Sequence, residues 1–190
     1  MSKIYIENKT FQGIDFSVEK IEKAEYENCT FNNCEFSNTD LSNINFSECE
    51  FTNCNLSMAK IRNTVFRDVK FKNSKLLGLH FQNCNEFLLT VEFEACLLNL
   101  SSFFKRKLKN TKFKDCSLQE VDFAETDLTN SLFDNCNLSG AIFEQSNIEK
   151  CDFRTSYNYI IDPENNKISK AKFSQHGIAG LLNKYNIDIF

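Results

Sequence analysis

A large apolar side chain recurs every five residues through most of this 190-residue chain. It falls at Phe11, Phe16, Ile21, Tyr26, Phe31, Phe36, Leu41, Phe46, Phe51, Leu56, Ile61, Phe66, Phe71, Leu76 and Phe81 without a break. The phase then moves by two residues and resumes at Leu88, Phe93, Leu98, Phe103, Leu108, Phe113, Leu118, Phe123, Leu128, Phe133, Leu138, Phe143, Ile148 and Phe153, with Phe173 on the same phase. Of the 20 Phe, 17 occupy this central position, so the period is a property of the chain and not of its composition. Five residues turn an α-helix by about 500°, which does not return residue i+5 to the face of residue i. The period therefore demands a coil with flat sides.

Two further positions define each side. Two residues before the centre stand small or β-branched residues, among them Cys29, Cys34, Thr39, Ile44, Cys49, Cys54, Ala59, Thr64, Val69 and Ser74. Residues two apart on extended backbone point to the same side, so both positions face inward. Two residues after the centre stand Asn28, Asn33, Asn38, Asn43, Asn53, Asn63, Asn73, Asn83, Asn110, Asn130 and Asn135, with Gly13, Gly78 and Gly140. Asn and Gly best tolerate positive φ, so this position is the corner. Four sides would close a coil every 20 residues, with coils stacked in parallel at about 4.8 Å. The Phe positions then form columns that fill the interior, each ring contributing roughly 1.5–3 kcal/mol by burial.

Nine cysteines in a chain of this kind raise the question of metal or redox chemistry. All nine (Cys29, Cys34, Cys49, Cys54, Cys84, Cys96, Cys116, Cys136 and Cys151) sit on the inward small position, counting Cys84 in the phase that runs up to Phe81. Their spacing is that of the repeat and not of a ligand set, and the two histidines, His80 and His176, are far apart. Buried free cysteine behaves as a small hydrophobe. Free thiols are expected, with Cys96, Cys116 and Cys136 in one column. No paired carboxylates, nucleophile with base, phosphate loop or metal cluster stands out, so the reading is non-enzymatic with no cofactor.

The order small, polar, Leu or Phe, polar, polar over about residues 9–175 resembles the pentapeptide-repeat family. The resemblance implies an all-β fold, a right-handed quadrilateral parallel β-helix. Residues 1–173 are assigned to it, with a phase change near 82–92 and a loop at 156–167. Residues 174–190 are assigned to a short C-terminal capping and dimerisation helix with its tail.

The breaks are where the chain departs from its own pattern. The phase change brings Phe87, Leu88 and Leu89 together as an apolar cluster, read either as a local bulge or as a recognition loop. Arg106 in an inward small position suggests a second local distortion. After Phe153 the pattern lapses, and Pro163 with Asp162–Asn166 marks a loop. Ser174 is placed to cap a helix that puts Ile178, Leu181, Leu182 and Tyr185 on one face, followed by Ile187, Ile189 and Phe190.

Net charge is −4 and the pI about 5.3, which argues against direct nucleic-acid binding. Charge is banded. Residues 15–50 carry nine acids and two bases, residues 60–114 four acids and twelve bases, and residues 115–152 nine acids and one base. There is no long apolar run to span a membrane, and the opening MSKIYIENKT lacks the order of a secretory signal, so a cytoplasmic protein is expected.

The end AKFSQHGIAGLLNKYNIDIF resembles that of the Qnr-type quinolone-resistance members of the family. This implies a bacterial homodimer that mimics duplex DNA and protects a type II topoisomerase, DNA gyrase or topoisomerase IV, from quinolones. Carried over, Ile178, Leu181, Leu182, Tyr185, Ile187 and Ile189 would be dimer contacts. The acids Glu125, Asp127, Asp134, Glu144, Glu149 and Asp152 would form a partner surface in which carboxylates stand for phosphates. The residues themselves leave open an interaction scaffold with a different protein partner.

Overall fold

The computed structural model describes residues 4–87 and 89–189. Leu88, an expected central position, and Phe190, part of the expected apolar end, lie outside the described residues. Eleven short strands follow in order: β1 (Ile4–Glu7), β2 (Thr10–Gln12), β3 (Ala24–Glu27), β4 (Thr30–Asn32), β5 (Asn45–Ser47), β6 (Glu50–Thr52), β7 (Val65–Arg67), β8 (Val69–Lys72), β9 (Val91–Glu94), β10 (Lys112–Lys114) and β11 (Leu132–Asp134). They form a four-stranded sheet in the order β1-β3-β5-β7 and a seven-stranded sheet in the order β11-β10-β9-β8-β6-β4-β2. Every pairing between them is parallel. The other two sides of the coil are held by isolated parallel bridges such as Asp15↔Glu35 and Ser102↔Asp122.

The register is the repeat written in space. Phe11 faces Phe31, Phe31 faces Phe51 and Phe51 faces Phe71. Across the phase change Phe71 faces Phe93, two residues further on, after which Phe93 faces Phe113 and Phe113 faces Phe133. This is the quadrilateral parallel β-helix, with one inward column per side. Below, the sides are numbered by their columns: first (Phe11, Phe31, Phe51), second (Phe16, Phe36, Leu56), third (Ile21, Leu41, Ile61) and fourth (Tyr26, Phe46, Phe66).

The first column is a continuous stack of rings from Phe11 to Phe173, with centroids 4.6–5.4 Å apart. Phe81, Phe103, Phe123 and Phe143 form a second stack on the third side. The two stacks meet edge to face, as in Phe103–Phe113 at 6.1 Å. Offset stacking and edge contacts are the two arrangements the ring quadrupole favours, each adding about 0.5–1.5 kcal/mol beyond burial.

The small position does more than leave room. Where it is Ser, Thr or Cys, its side chain commonly donates to a backbone carbonyl of the preceding coil. Thr64 Oγ1 donates to the Leu41 carbonyl at 2.8 Å, Ser131 Oγ to Leu108 at 2.7 Å, Ser156 Oγ to Phe133 at 2.8 Å and Cys151 Sγ to Leu128 at 2.8 Å. Cysteine, serine and threonine are interchangeable here because each is small and each carries one donor. All nine cysteines are buried free thiols.

The corners adopt positive φ, as at Asn28, Asn33, Asn38, Gly78 and Gly140. Among the expected Asn and Gly corners Asn83 departs from this, lying in the 3-10 turn Phe81–Asn83 at the phase change, and the corner positions Val18, Lys23 and Thr155 do not take positive φ either. Several corners hold residues without Asn or Gly chemistry, including Met58 (φ 58), Ala95 (φ 52) and Leu100 (φ 62). An L-residue in this region costs roughly 1–2 kcal/mol, so stacking overrides local preference there.

At the C-terminal end the expected helix is shorter than its apolar spacing suggests. A 3-10 turn at Gln175–Gly177 is followed by α1 (Ala179–Leu182) and a 3-10 turn at Asn183–Tyr185. The Ser174 hydroxyl does accept from the Gly177 amide, at 3.1 Å. The segment folds over Tyr159, whose ring packs against Phe153 and Phe173 with centroids 5.9 and 5.7 Å away. No helix among the described residues is long and apolar enough to cross a membrane.

Candidate interaction surfaces

With the inward positions taken by the core, chemistry falls to the outward rows that flank each central column. The six acids singled out from the sequence do not share a side. Asp134 and Asp152 lie on the first side, where Leu132 bridges Asp152. Asp127 and Glu149 flank the fourth column, Glu144 flanks the third, and Glu125 takes the corner between third and fourth.

Cations interleave with them. Lys105 reaches Glu125 at 3.4 Å, Lys109 reaches Asp127 at 3.2 Å, and Asp152 meets Arg154 at 2.8 Å and Lys172 at 3.9 Å. The Arg154 guanidinium, hydrogen-bonded to Asp152, holds its carboxyl below the ordinary value. The basic band is interleaved in the same way on the first side. Lys72 pairs with Glu50 at 2.7 Å, Lys112 with Glu92 at 3.3 Å and Lys114 with Glu94 at 2.7 Å, along an open groove that also takes in Lys70. Exposed pairs like these are worth about 0–1 kcal/mol each; their consequence is that this side alternates in sign.

At the phase change the expected apolar cluster divides. Leu89 is buried in the core, whereas Phe87 is 73% exposed. Arg106 occupies an inward small position one coil later. Its side chain is mostly buried and its guanidinium lies 3.7 Å from Glu86. No second distortion accompanies it: the backbone stays in register, with Arg106 N donating to Phe103 O at 2.9 Å and Lys107 bridging Asp127. Burial pushes the neighbouring Cys84 thiol up to about 11, with the Arg106 charge opposing.

At the C-terminal end, Ile178, Tyr185, Ile187 and Ile189 are 45–56% exposed, while Leu181 packs against the core and Leu182 is half-buried. Lys184 ties this end to the 162–164 loop, 2.8 Å from Asp162 and 2.6 Å from Glu164, and the Tyr185 hydroxyl donates to Glu164 at 2.9 Å. Hydrogen bonds to the two carboxylates raise the Lys184 ammonium above its ordinary value. In the same loop Asn166 takes over the small position, its amide donating to the Phe143 carbonyl at 2.8 Å and its oxygen accepting from Ser146 N at 2.9 Å.

Sequence reasoning missed the closeness of Gly177 and Gly180 to Tyr159. A Cβ on Gly177 would stand 1.8 Å from the Tyr159 hydroxyl oxygen, and one on Gly180 would stand 2.0 Å from the Tyr159 carbonyl oxygen. It also missed the donor role of the small position. The sequence signal for that was there: Cys, Ser and Thr recur where Ala and Val alone would serve packing. Among the described residues no group of three or more His, Cys, Asp or Glu side chains is placed to hold a metal ion.

Stacked parallel coils, four inward columns and corners at positive φ define a quadrilateral β-solenoid. The profile of the pentapeptide repeat region matches residues 24–87 and 86–157, and the chain belongs to that family. Among solved structures, the fold is similar to a trypsin-treated variant of QnrB1, a plasmid-mediated fluoroquinolone resistance protein, at a TM-score of 0.63 and 18% identity over 100% of both chains. It is also similar to HetL from the cyanobacterium Nostoc sp. strain PCC 7120, a pentapeptide-repeat protein involved in regulating heterocyst differentiation. That match has a TM-score of 0.60 and 12% identity, over 90% of this chain and 87% of that one. At these identities the likeness is one of fold. No curated protein matches the chain in a sequence search.

Proposed function

We propose that the protein is a non-catalytic binding rod that self-associates through its C-terminal end and presents flat charged sides to a protein partner. The observation that carries this reading is the division of labour in each repeat. The centre and small positions are spent on the core, and the outward rows are left as the available chemistry. The exposed Ile178, Tyr185, Ile187 and Ile189 at one end give the self-association surface. Ile187→Arg should convert a dimer-sized species to a monomer-sized one in light scattering; monomer-sized peaks for both proteins would refute it.

A second reading, a DNA mimic that protects DNA gyrase or topoisomerase IV from quinolones, is favoured by the fold match to QnrB1 over the full length of both chains. The carboxylates of residues 115–152 would occupy a groove made for phosphates. A gyrase supercoiling assay with and without ciprofloxacin separates the two readings. Restored supercoiling at micromolar protein supports the DNA mimic; neither protection nor inhibition removes it and leaves the partner-binding rod.

A further inference from the structure

Along the fourth side the inward small position runs Thr64, Cys84, Arg106, Thr126 and Ser146 in successive coils. Thr64, Thr126 and Ser146 each donate to a carbonyl of the coil before, at 2.8–2.9 Å. Arg106 stands in the same place with a charge and a fork of N–H donors, and its side chain is only 14% exposed. Its Nε is buried without a hydrogen-bond partner. The one ion pair of the guanidinium among the described residues is with Glu86, at 3.7 Å, beyond hydrogen-bond length. Taking a guanidinium out of water without hydrogen-bonding its donors is costly. A threonine, as at Thr64 and Thr126, would fill the column without that cost, so packing does not account for the arginine.

We propose that Arg106 is the base of an oxyanion-binding site at the phase change, which takes a carboxylate or phosphate group in the guanidinium fork, and that Glu86 is an internal carboxylate which the ligand displaces. Planar, bidentate recognition of such groups is what a guanidinium does best. Glu86 does not supply it: its carboxylate stays at 3.7 Å from Nη1, and its side chain is 65% exposed. A free oxyanion is not tethered to a loop and closes to hydrogen-bond length, which satisfies donors that Glu86 leaves unpaired.

The loop lets Glu86 leave without unpairing a coil. It is fastened on either side, by Asn85 N to Thr64 O and by Thr90 N to Phe66 O, both 2.9 Å, and Leu89 is buried. Glu86 and Phe87 lie between these anchors and face solvent. The surrounding charge favours an anion. Lys105 and Lys109 are held by Glu125 and Asp127. Arg67 on the coil before and Lys107 on the coil after have no ion pair among the described residues, and Asp68 is the one acid without a partner beside them.

The test titrates the full chain with inorganic phosphate and with acetate, read at the Arg106 Nε–Hε nuclear magnetic resonance signal, with chloride at matched ionic strength as the blank. Glu86→Gln should bind about fivefold more tightly than wild type, the factor that removing one competing exposed ion pair gives. Asp68→Asn removes the same charge nearby without touching the guanidinium and should bind like wild type. Arg106→Lys keeps the charge and loses the fork, so it should lose the anion-dependent rise in melting temperature that Glu86→Gln shows; its own melting curve reports whether it folds, and the resonance titration stands without it. A response to acetate alone supports the site and assigns it to a carboxylate, as on an acidic side chain of a partner. A response to phosphate alone supports it and assigns it to a phosphate. An Arg106 signal that moves no further with either anion than with chloride would overturn the proposal. So would a Glu86→Gln affinity no higher than that of wild type, or an Asp68→Asn affinity raised equally.

Discussion

Substituting Ala for Gly180 sets two effects of opposite sign against each other. Within α1, Gly to Ala should stabilise by about 1 kcal/mol on helix propensity alone. The structure reverses that sign. The new Cβ would stand 2.0 Å from the Tyr159 carbonyl oxygen and 3.1 Å from a Tyr159 ring carbon, and the first of these is backbone that cannot swing aside. Either α1 lifts or the Tyr159 segment yields. Lifting breaks the hydrogen bond from Ile161 N to Gly180 O, 3.1 Å long, worth about 1 kcal/mol. Forcing an extra methyl into a packed contact adds roughly 1–3 kcal/mol. The net is a loss of about 1–3 kcal/mol, confined to the C-terminal coil because a solenoid transmits strain mainly to its neighbours. Hydrogen exchange at the Ile161 amide should therefore speed up about tenfold or more, while amides of β4 and β6 stay unchanged. Ala179→Gly, at an exposed position of the same turn, is the control and should cost only the propensity term. If Gly180→Ala exchanges at Ile161 like wild type, or melts higher, the reasoning from the Tyr159 contact is wrong.

Three further outcomes are expected. Phe113→Ala removes a fully buried ring stacked at 5.2 and 4.9 Å on Phe93 and Phe133 and should cost about 3–5 kcal/mol in urea denaturation; Phe173→Ala, a half-buried ring at the end of the stack, should cost clearly less, and equal costs would argue against stacking as the source. Leu100→Asn relieves a leucine held at φ 62 and should raise the melting temperature, with about 1 kcal/mol gained. Burial pushes Cys49, Cys54 and Cys151 up to about 12, so a thiol reagent at neutral pH should label them only at the rate of unfolding; Cys151→Ser should fold with near-wild-type stability and Cys151→Val should not, since only Ser keeps the donor to Leu128.

What could be read from the sequence was whatever the repeat makes redundant. The Phe columns, the Asn corners and the buried cysteines are each stated many times over, so a single exception cannot hide them. Asn83 and Arg106 are stated once. Both lie at or against the phase change: the first is part of a 3-10 turn, and the second is mostly buried beside Glu86 without disturbing the register. Gly180 of α1 lies against Tyr159, some twenty residues away, and no local spacing encodes that contact. The acid cluster divides for a simple reason. Sequence proximity within a band of residues 115–152 is proximity along the rod axis, whereas the side on which a residue sits is decided by its place within the twenty-residue coil.

The recovery of register after the phase change has a consequence for how such a chain can vary. Phe71 and Phe93 stack as Phe51 and Phe71 do, at 5.4 and 5.2 Å, with two extra residues between them. The two extra residues therefore disturb one coil, where the fourth-side sheet ends at β7, and leave the later coils in step. Length, side-chain lettering and local protrusions become separately editable, since none of them alters the columns inside. A chain built this way keeps one interior while its exterior is rewritten coil by coil. That is why members with little identity share the rod, and why the outward rows must be read side by side to learn what each one meets.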